Sequence, residues 1–482
     1  MTEIANLTAG QRLFTALEID LNVIPIEQLD EYLQIEYFLL SEDEPPADAN
    51  RLEKVERYLQ VFTSLTEVSA WEKAGQVLSF CLENNEKKLH EQLRIWGYHR
   101  DLIELYQKLL NKVSSEQDLI CLDGLGESFF YLSDFDKSFD YHQQQVQLAQ
   151  ALNRREEEAK SLGYLGSVKH INQNYAEAIA YFRQQLQISH EINNQKQEGY
   201  ALSRMGFTLF QQGIGGKKYK YQVREALSCL DLSLNIARHI GDQELEIISL
   251  GYISKIYFER GQFDKSLILL QQQLDICEKS SNLEQEIPVM LDLGNCYMEL
   301  EQYSEALEYL QKTLKISREI GDKWYECYAV NSLSILYGYN LQKYENAIFY
   351  AKQQLEISEQ IHRKKDISIH ILINLFNFYT SLGNKNESDV YLEMAKSIAV
   401  ESDSIESKAM VIMAIARSYW IREQIWYKLY GLFLALKGLT MVPPWQSTNG
   451  RMAFKLVVES VTKSAQNFLM GLFKRLKNFL RL

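Results

Sequence analysis

The residues best able to move protons or hold a metal are eight histidines: His90, His99, His142, His170, His190, His239, His362 and His370. Residues 90 to 94 read HEQLR, which lacks the second histidine of HExxH, the spacing that places two imidazoles and a general base on one helix face. His362 and His370 can share a helix face, but a lone packed or solvated histidine is the better reading of each. No group of His, Cys and acids has zinc spacing, and no GxSxG elbow presents a serine nucleophile. The segment GIGGKKYK, 213 to 220, is the nearest approach to a phosphate loop. Such a loop needs GxxxxGK followed by Ser or Thr, between a strand and a helix. Here Lys218 and Tyr219 follow and no strand precedes, so the segment reads as a flexible basic loop able to touch an acidic partner. Carboxylates are spread over helix joints and outer faces, and no pair stands out. The expectation is a chain with no catalytic residue, no metal and no cofactor.

The composition narrows the partners. Lys plus Arg number 51 against 64 Asp plus Glu, a net charge of -13. A nucleic-acid binder shows the opposite balance. From Arg451 to Leu482 there are seven basic residues and one acid, net +6, so the first 450 residues carry -19. Six cysteines, none in a CxxC pair, read as reduced thiols of an intracellular protein. The start MTEIANLTAGQRLF has no basic segment followed by an apolar one, so no leader is expected. The longest apolar stretch, Trp426 to Val442, is broken by Lys428 and Lys437, short of a membrane-spanning run. A cytoplasmic protein is expected. Between Pro46 and Pro443 the one proline is Pro288, and strand-like alternation is absent, which predicts an all-α chain.

The elements that position any site recur. A small residue, three positions after an aromatic in the clearest segments, marks Ser138, Ala178, Ala226, Ser266, Ala306, Ala347, Ser388 and a degenerate Lys428. The spacings are 40, 48, 40, 40, 41, 41 and 40. Apolar residues three, four, eight and ten positions past most of the markers form one stripe of an amphipathic helix. A second helix precedes each marker and carries another small residue: Gly126, Gly166, Gly206, Ser254, Gly294 and Ser334. Glycine inside a helix costs ~1 kcal/mol, so it predicts close approach of two backbones. Aromatics three residues later, such as Phe129 and Tyr297, fill the wider space beside the contact. The eight inserted residues of the 48-residue gap are GIGGKKYK.

LGxxY followed by (G/E)x(Y/F)xxA resembles the tetratricopeptide repeat, best at Leu293-Gly294, Tyr297, Tyr303 and Ala306. The 40-residue length, with joints at Gly241-Asp242 and Gly321-Asp322, is similar to the long-repeat branch that includes kinesin light chains and many bacterial multi-repeat proteins. Departures are Lys169 in place of an aromatic, and Phe376 and Ala416 in place of glycine. The resemblance covers roughly residues 114 to 440. It implies a right-handed superhelical solenoid with a concave face, and a binding scaffold without general catalytic activity. Physics gives the same architecture, since one hairpin cannot bury its stripe without stacked neighbours.

The predicted organisation is a helical N-terminal region at 1–113 with divergent hairpins, a solenoid of about eight repeats at 114–442, a linker at 443–450, and a basic amphipathic helix at 451–482. The N-terminal region reads as the solenoid's cap, with a separate recognition domain as the alternative. Within the last helix, Phe468, Leu472, Leu476 and Phe479 lie on an apolar stripe, with Lys474, Arg475, Lys477 and Arg481 around it. Two readings compete: a cap over the last repeat, or an interfacial helix on an anionic membrane.

By the resemblance, the inner face comes mainly from the first helix of each repeat. It then holds Phe130, Tyr131, His170, Phe207, Phe210, Lys255, Phe258, Asn295, Met298, Asn331, Tyr339, Asn377, Arg417 and Trp420. Aromatic anchors among amides suit an amphipathic helix or extended peptide. Chaperone-binding relatives use paired Lys and Asn at positions that here include Asp123, Gly163, Ser203, Gly251 and Leu291, so that partner class is disfavoured. The expected function is a non-enzymatic adaptor with a protein or peptide client, no nucleic acid and no small-molecule substrate. The alternative is a peripheral membrane assembly factor anchored by its tail.

Overall fold

The computed structural model describes residues 7–41, 51–81, 87–214, 219–280, 283–360, 364–401 and 405–420. These residues are all-α: 21 helices, most packed as consecutive antiparallel pairs, with one isolated bridge between Cys81 and Lys88. The chain forms two compact units, Met1–Thr208 and Leu209–Leu482.

The first unit opens with α1 (Ala9–Ala16), two 3-10 turns (Leu21–Val23, Ile26–Gln28), α2 (Leu29–Leu40), α3 (Glu56–Glu67), α4 (Trp71–Leu78), α5 (Leu89–Ile95) and α6 (His99–Leu109). Phe62, Leu65, Ile35 and Tyr106 sit at the centre of its core. Regular pairs follow: α7 (Ser115–Tyr131) with α8 (Phe135–Ala151), then α9 (Arg155–Ile171) with α10 (Tyr175–Glu191), and the start of α11 (Gln195–Gly213). The second unit continues with α12 (Tyr219–Ile240), α13 (Gln243–Glu259), α14 (Phe263–Ser280), α15 (Leu283–Glu299), α16 (Tyr303–Ile320), α17 (Lys323–Ile335), α18 (Tyr344–Gln360), α19 (Lys364–Ser381), α20 (Lys385–Glu401) and α21 (Ile405–Trp420).

One joint is used repeatedly. At the end of α7, Ser133 takes a left-handed φ of 62°, its N–H donates to Phe130 O, and the Asp134 N–H donates to Phe129 O at 2.9 Å. This pair of bonds is a Schellman closure, which satisfies carbonyls the helix leaves orphaned. Asp134 then caps α8 through its side chain. Asn153, Gln173 and Asn193 repeat the left-handed residue at twenty-residue intervals, and Gly241, Gly261, Glu301, Gly321, Gln342 and Gly383 are left-handed in the second unit.

The small residues predicted to let backbones approach do so. A Cβ on Gly166 would stand 2.5 Å from the Phe182 ring, and one on Gly294 would stand 2.7 Å from Leu310. Beside each contact, first- and second-helix aromatics stack: Phe129 on Tyr141, Tyr297 on Tyr309, Tyr337 on Tyr350 and Tyr379 on Tyr391, with centroids 5.5 to 5.6 Å apart. Where Lys169 replaces the aromatic, its ammonium lies 4.7 Å from the Phe139 ring centroid and pairs with Glu177 at 2.9 Å. The 41-residue step from Ala306 to Ala347 is taken up by a π turn, Leu336–Asn340, closed by Leu341 N–H on Leu336 O. A π turn accommodates one residue more than the α-helix.

Candidate functional site

Two polar clusters lie on first helices of the repeats, one in each unit. In the first unit, Glu127 of α7 is 4% exposed and accepts from Tyr164 of α9 at 2.5 Å, pairs with Lys160 at 3.0 Å, and is gripped by Arg94 of α5. Lys160 also pairs with Asp123 at 2.6 Å, and Gln145 donates to the same carboxylate at 3.2 Å. The His142 ring stacks on Tyr164 at 4.5 Å, and the Arg204 guanidinium lies 5.4 Å from the centroid of that tyrosine. Burial alone would raise the Glu127 carboxyl; Lys160, Arg94 and Tyr164 outweigh it and hold the group at about 2. Burial works against the charge on Lys160 too, but Asp123 and Glu127 raise its pKa. Arg94 and Lys160 balance Asp123 and Glu127 in charge, and both carboxylates are hydrogen-bonded, while His142 Nε2 is left without a partner. Such a network fixes helix register.

In the second unit the cluster is more open. Asp292 and Asn295 sit three residues apart on α15, hence on one face. Asp292 is accessible to solvent, yet crowding by protein pushes its carboxyl up to about 6, with Lys255 of α13 acting in the opposite sense. Tyr325 of α17 lies within its electrostatic reach and has its phenol raised, chiefly by burial. Further along, the Tyr339 hydroxyl donates to Asn374 Oδ1 at 2.9 Å and accepts from Asn377 Nδ2 at 3.0 Å. Arg417 donates to Asn377 Oδ1 at 2.7 Å. Burial pushes the Tyr339 phenol up to about 12, Arg417 notwithstanding. Asn295 and Asn331 are half-buried, and among the described residues neither has a protein hydrogen-bond partner.

Sequence-family comparison agrees with the repeat geometry. One tetratricopeptide-repeat model matches residues 118–189, which run from α7 to α10, and a second matches 288–320, which span α15 and α16. The chain carries tetratricopeptide repeats at these residues. No curated protein matches the chain. Among solved structures it is similar to a Rap protein complexed with competence and sporulation factor, at 14% identity over 72% of this chain and 98% of that one, TM-score 0.49. It is also similar to the apo quorum sensor NprR from B. thuringiensis, at 13% identity over 73% and 100% of the two chains, TM-score 0.48. A third is a signal-transduction ATPase with a tetratricopeptide-repeat sensor from Pyrococcus horikoshii, at 18% identity over 83% and 63%, TM-score 0.46.

The repeats place the expected face unevenly. Lys255 is exposed, while Asn295, Asn331, Tyr339 and Arg417 are half-buried. Tyr131 is exposed and stacked on His99 at 4.6 Å; Phe130 turns its edge to Phe135 at 5.6 Å. His170 bonds Thr208 at 2.9 Å and tilts against Phe207. Phe258 packs on Phe263 at 5.2 Å. Phe210 corrects the expectation: it is 1% exposed, with no surface to offer a client. Phe207, Met298 and Asn377 are also buried, the first against His170, the second in an apolar cluster and the last inside the Tyr339 and Arg417 network. Trp420 ends α21, and its side chain, like residues 468 to 481 of the tail, lies outside the described residues. The spacing argument missed Asp292, Tyr325 and Asn374. The i, i+3 relation of Asp292 to Asn295 was available to find the first.

No helix among the described residues is long and apolar enough to cross a membrane. Four of the six cysteines are buried, and burial raises their thiols, Cys121 to about 12 and Cys277, Cys296 and Cys327 to about 11. Thiols so raised are poor nucleophiles.

Proposed function

We propose that this protein is a non-enzymatic adaptor that binds an extended or helical peptide along the first-helix face of its second unit, from Lys255 through Asp292, Asn295 and Asn331 toward Arg417. The observation that carries the reading is the pair of unpartnered, half-buried amides, Asn295 and Asn331, on α15 and α17. A side-chain amide presents both a donor and an acceptor, which match the backbone of an incoming peptide. Left half-buried without protein partners, both amides gain when a client supplies the missing bonds. Tyr328 is 47% exposed beside them on α17 and offers an aromatic anchor. The polar groups along the face are chiefly amides and phenols, which suits hydrogen-bonded recognition over proton transfer.

The test uses a displayed library of random twelve-residue peptides selected on the full chain. Peptides so enriched should bind Asn295→Ala/Asn331→Ala at least about tenfold more weakly, a loss of ~1.4 kcal/mol. Thermal unfolding should stay unchanged, because neither amide holds another helix. Equal binding to the variant would place the client elsewhere.

A further inference from the structure

The first unit carries an unpartnered apolar face that the client reading does not use. It lies on α2 and the 3-10 turn before it. Ile26 is 90% exposed and Tyr37 63%, and Leu33 and Leu40 are exposed with them. At 100° per residue Leu33, Tyr37 and Leu40 fall within about 60° of one another around α2, opposite the buried Tyr32, Ile35 and Leu39, and Ile26 stands in the turn before them. Three large apolar side chains aligned on one exposed helix face exceed the scattered single residues that a surface normally shows.

Along the sequence the charge here has one sign. From Leu13 to Ser41 there are six acids, Glu18, Asp20, Glu27, Asp30, Glu31 and Glu36, and no Lys, Arg or His. On α2 Asp30 lies along one flank of the stripe and Glu36 along the other, and Glu27 stands in the turn before it. An apolar stripe between acidic flanks is complementary to an amphipathic helix with basic flanks. A second copy of the same surface is disfavoured, since a two-fold pairing would set these acids against themselves. Anionic lipid and nucleic acid are repelled for the same reason.

We infer that the α2 face is a docking site for a basic amphipathic helix of a partner protein. From Ile26 to Leu40 the stripe runs roughly 20 Å, which a partner helix covers in about 14 residues, with apolar anchors at i, i+3 or i+4, and i+7. Its Lys and Arg residues face Glu27, Asp30 and Glu36, and its leucines cover Leu33 and Tyr37.

The experiment titrates the full chain with a labelled 16-residue helix of leucines at that spacing and lysines elsewhere, and with a matched peptide carrying Glu for Lys. The basic peptide should bind and the acidic one should not. Leu33→Ser/Tyr37→Ser removes only exposed side chains and should weaken binding at least about tenfold, with circular dichroism unchanged. Glu27→Lys/Asp30→Lys should weaken the basic peptide and admit the acidic one. Raising salt from roughly 50 to 300 mM should weaken the wild-type complex about tenfold, as screening of exposed charges requires. Wild-type binding by Leu33→Ser/Tyr37→Ser would overturn the proposal, because attraction would then be charge without a site. So would a free chain that sediments as a dimer dissociated by that variant, or binding that appears only after residues 451–482 are removed. Those outcomes assign the face to a second copy and to the chain's own tail respectively.

Discussion

At the scale of single residues, the joints between helices are where backbone conformation and residue type disagree. Gln173 holds a φ of 59° and Ser133 a φ of 62°, whereas Gly261 fills the equivalent place in the second unit with a φ of 69°. A residue with a Cβ pays roughly 1–2 kcal/mol in this region, and glycine does not. Glycine gives back part of that through the greater freedom of its unfolded chain. Gln173→Gly should therefore stabilise the first unit by about 0.5 kcal/mol. Gly261→Ala should destabilise the second by about 1 kcal/mol or more. Urea titrations followed by circular dichroism distinguish the two signs, and a loss of stability in Gln173→Gly would mean that its side chain makes a compensating contact.

At the scale of elements, two helices of a repeat approach as closely as their small residues allow. Gly166→Ala drives a methyl group to 2.5 Å from the Phe182 ring, which is 1% exposed and has nowhere to move. The expected cost is about 1–3 kcal/mol. Gly251→Ala is the contrasting case. Its nearest neighbour is the end of a flexible Gln273 side chain at 3.1 Å, so helix propensity should win and the change should be neutral or stabilising by up to ~1 kcal/mol. Thermal unfolding of the two variants checks the ranking. This contact also shows what was legible in the sequence. Repeat spacing, small-residue positions and paired aromatics are local and periodic, so they can be read directly. The depth of a given side chain is not local. Phe207 and Phe210 share a helix and a spacing rule, yet both are buried, because neighbouring helices decide which face is covered. The Arg94, Glu127 and Lys160 network joins residues 33 apart in each step, and no periodic pattern singles it out among the chain's many charges.

At the scale of the whole molecule, the two units should differ in their response to acid between pH 7 and pH 5. The first unit holds three histidines in its interior or at its edge, His90 and His142 buried and His99 half-buried. Burial lowers His90 and His99 to about 4, and lowers His142 as well. His90 faces Tyr106, Glu91, Arg94, Lys88 and Asp123; His99 faces Glu127 and Arg94; His142 faces Asp123, Glu127 and Lys160. A histidine whose folded pKa lies below its unfolded value of about 6.5 stabilises the fold fully above that pH. As pH falls from about 6.5 toward 4, the unfolded chain takes up protons that the folded unit refuses, and stability is lost. Glu127, held near 2, extends the loss in the same sense below about 4.5. In the second unit Asp292 has the opposite sign. Its carboxyl is raised to about 6, so its contribution is present below the unfolded value and lost as pH rises through 6. Acidification relieves it, by a small amount because the group is accessible. Hydrogen exchange at pH 7 and pH 5, corrected for intrinsic rates, should therefore show α5 to α9 losing protection at pH 5 while α13 to α17 hold or gain it. Replacing His142, whose Nε2 is buried without a partner, by Gln should reduce the acid sensitivity of the first unit. Equal loss of protection in both units at pH 5 would mean that net charge, and not these buried groups, governs the response.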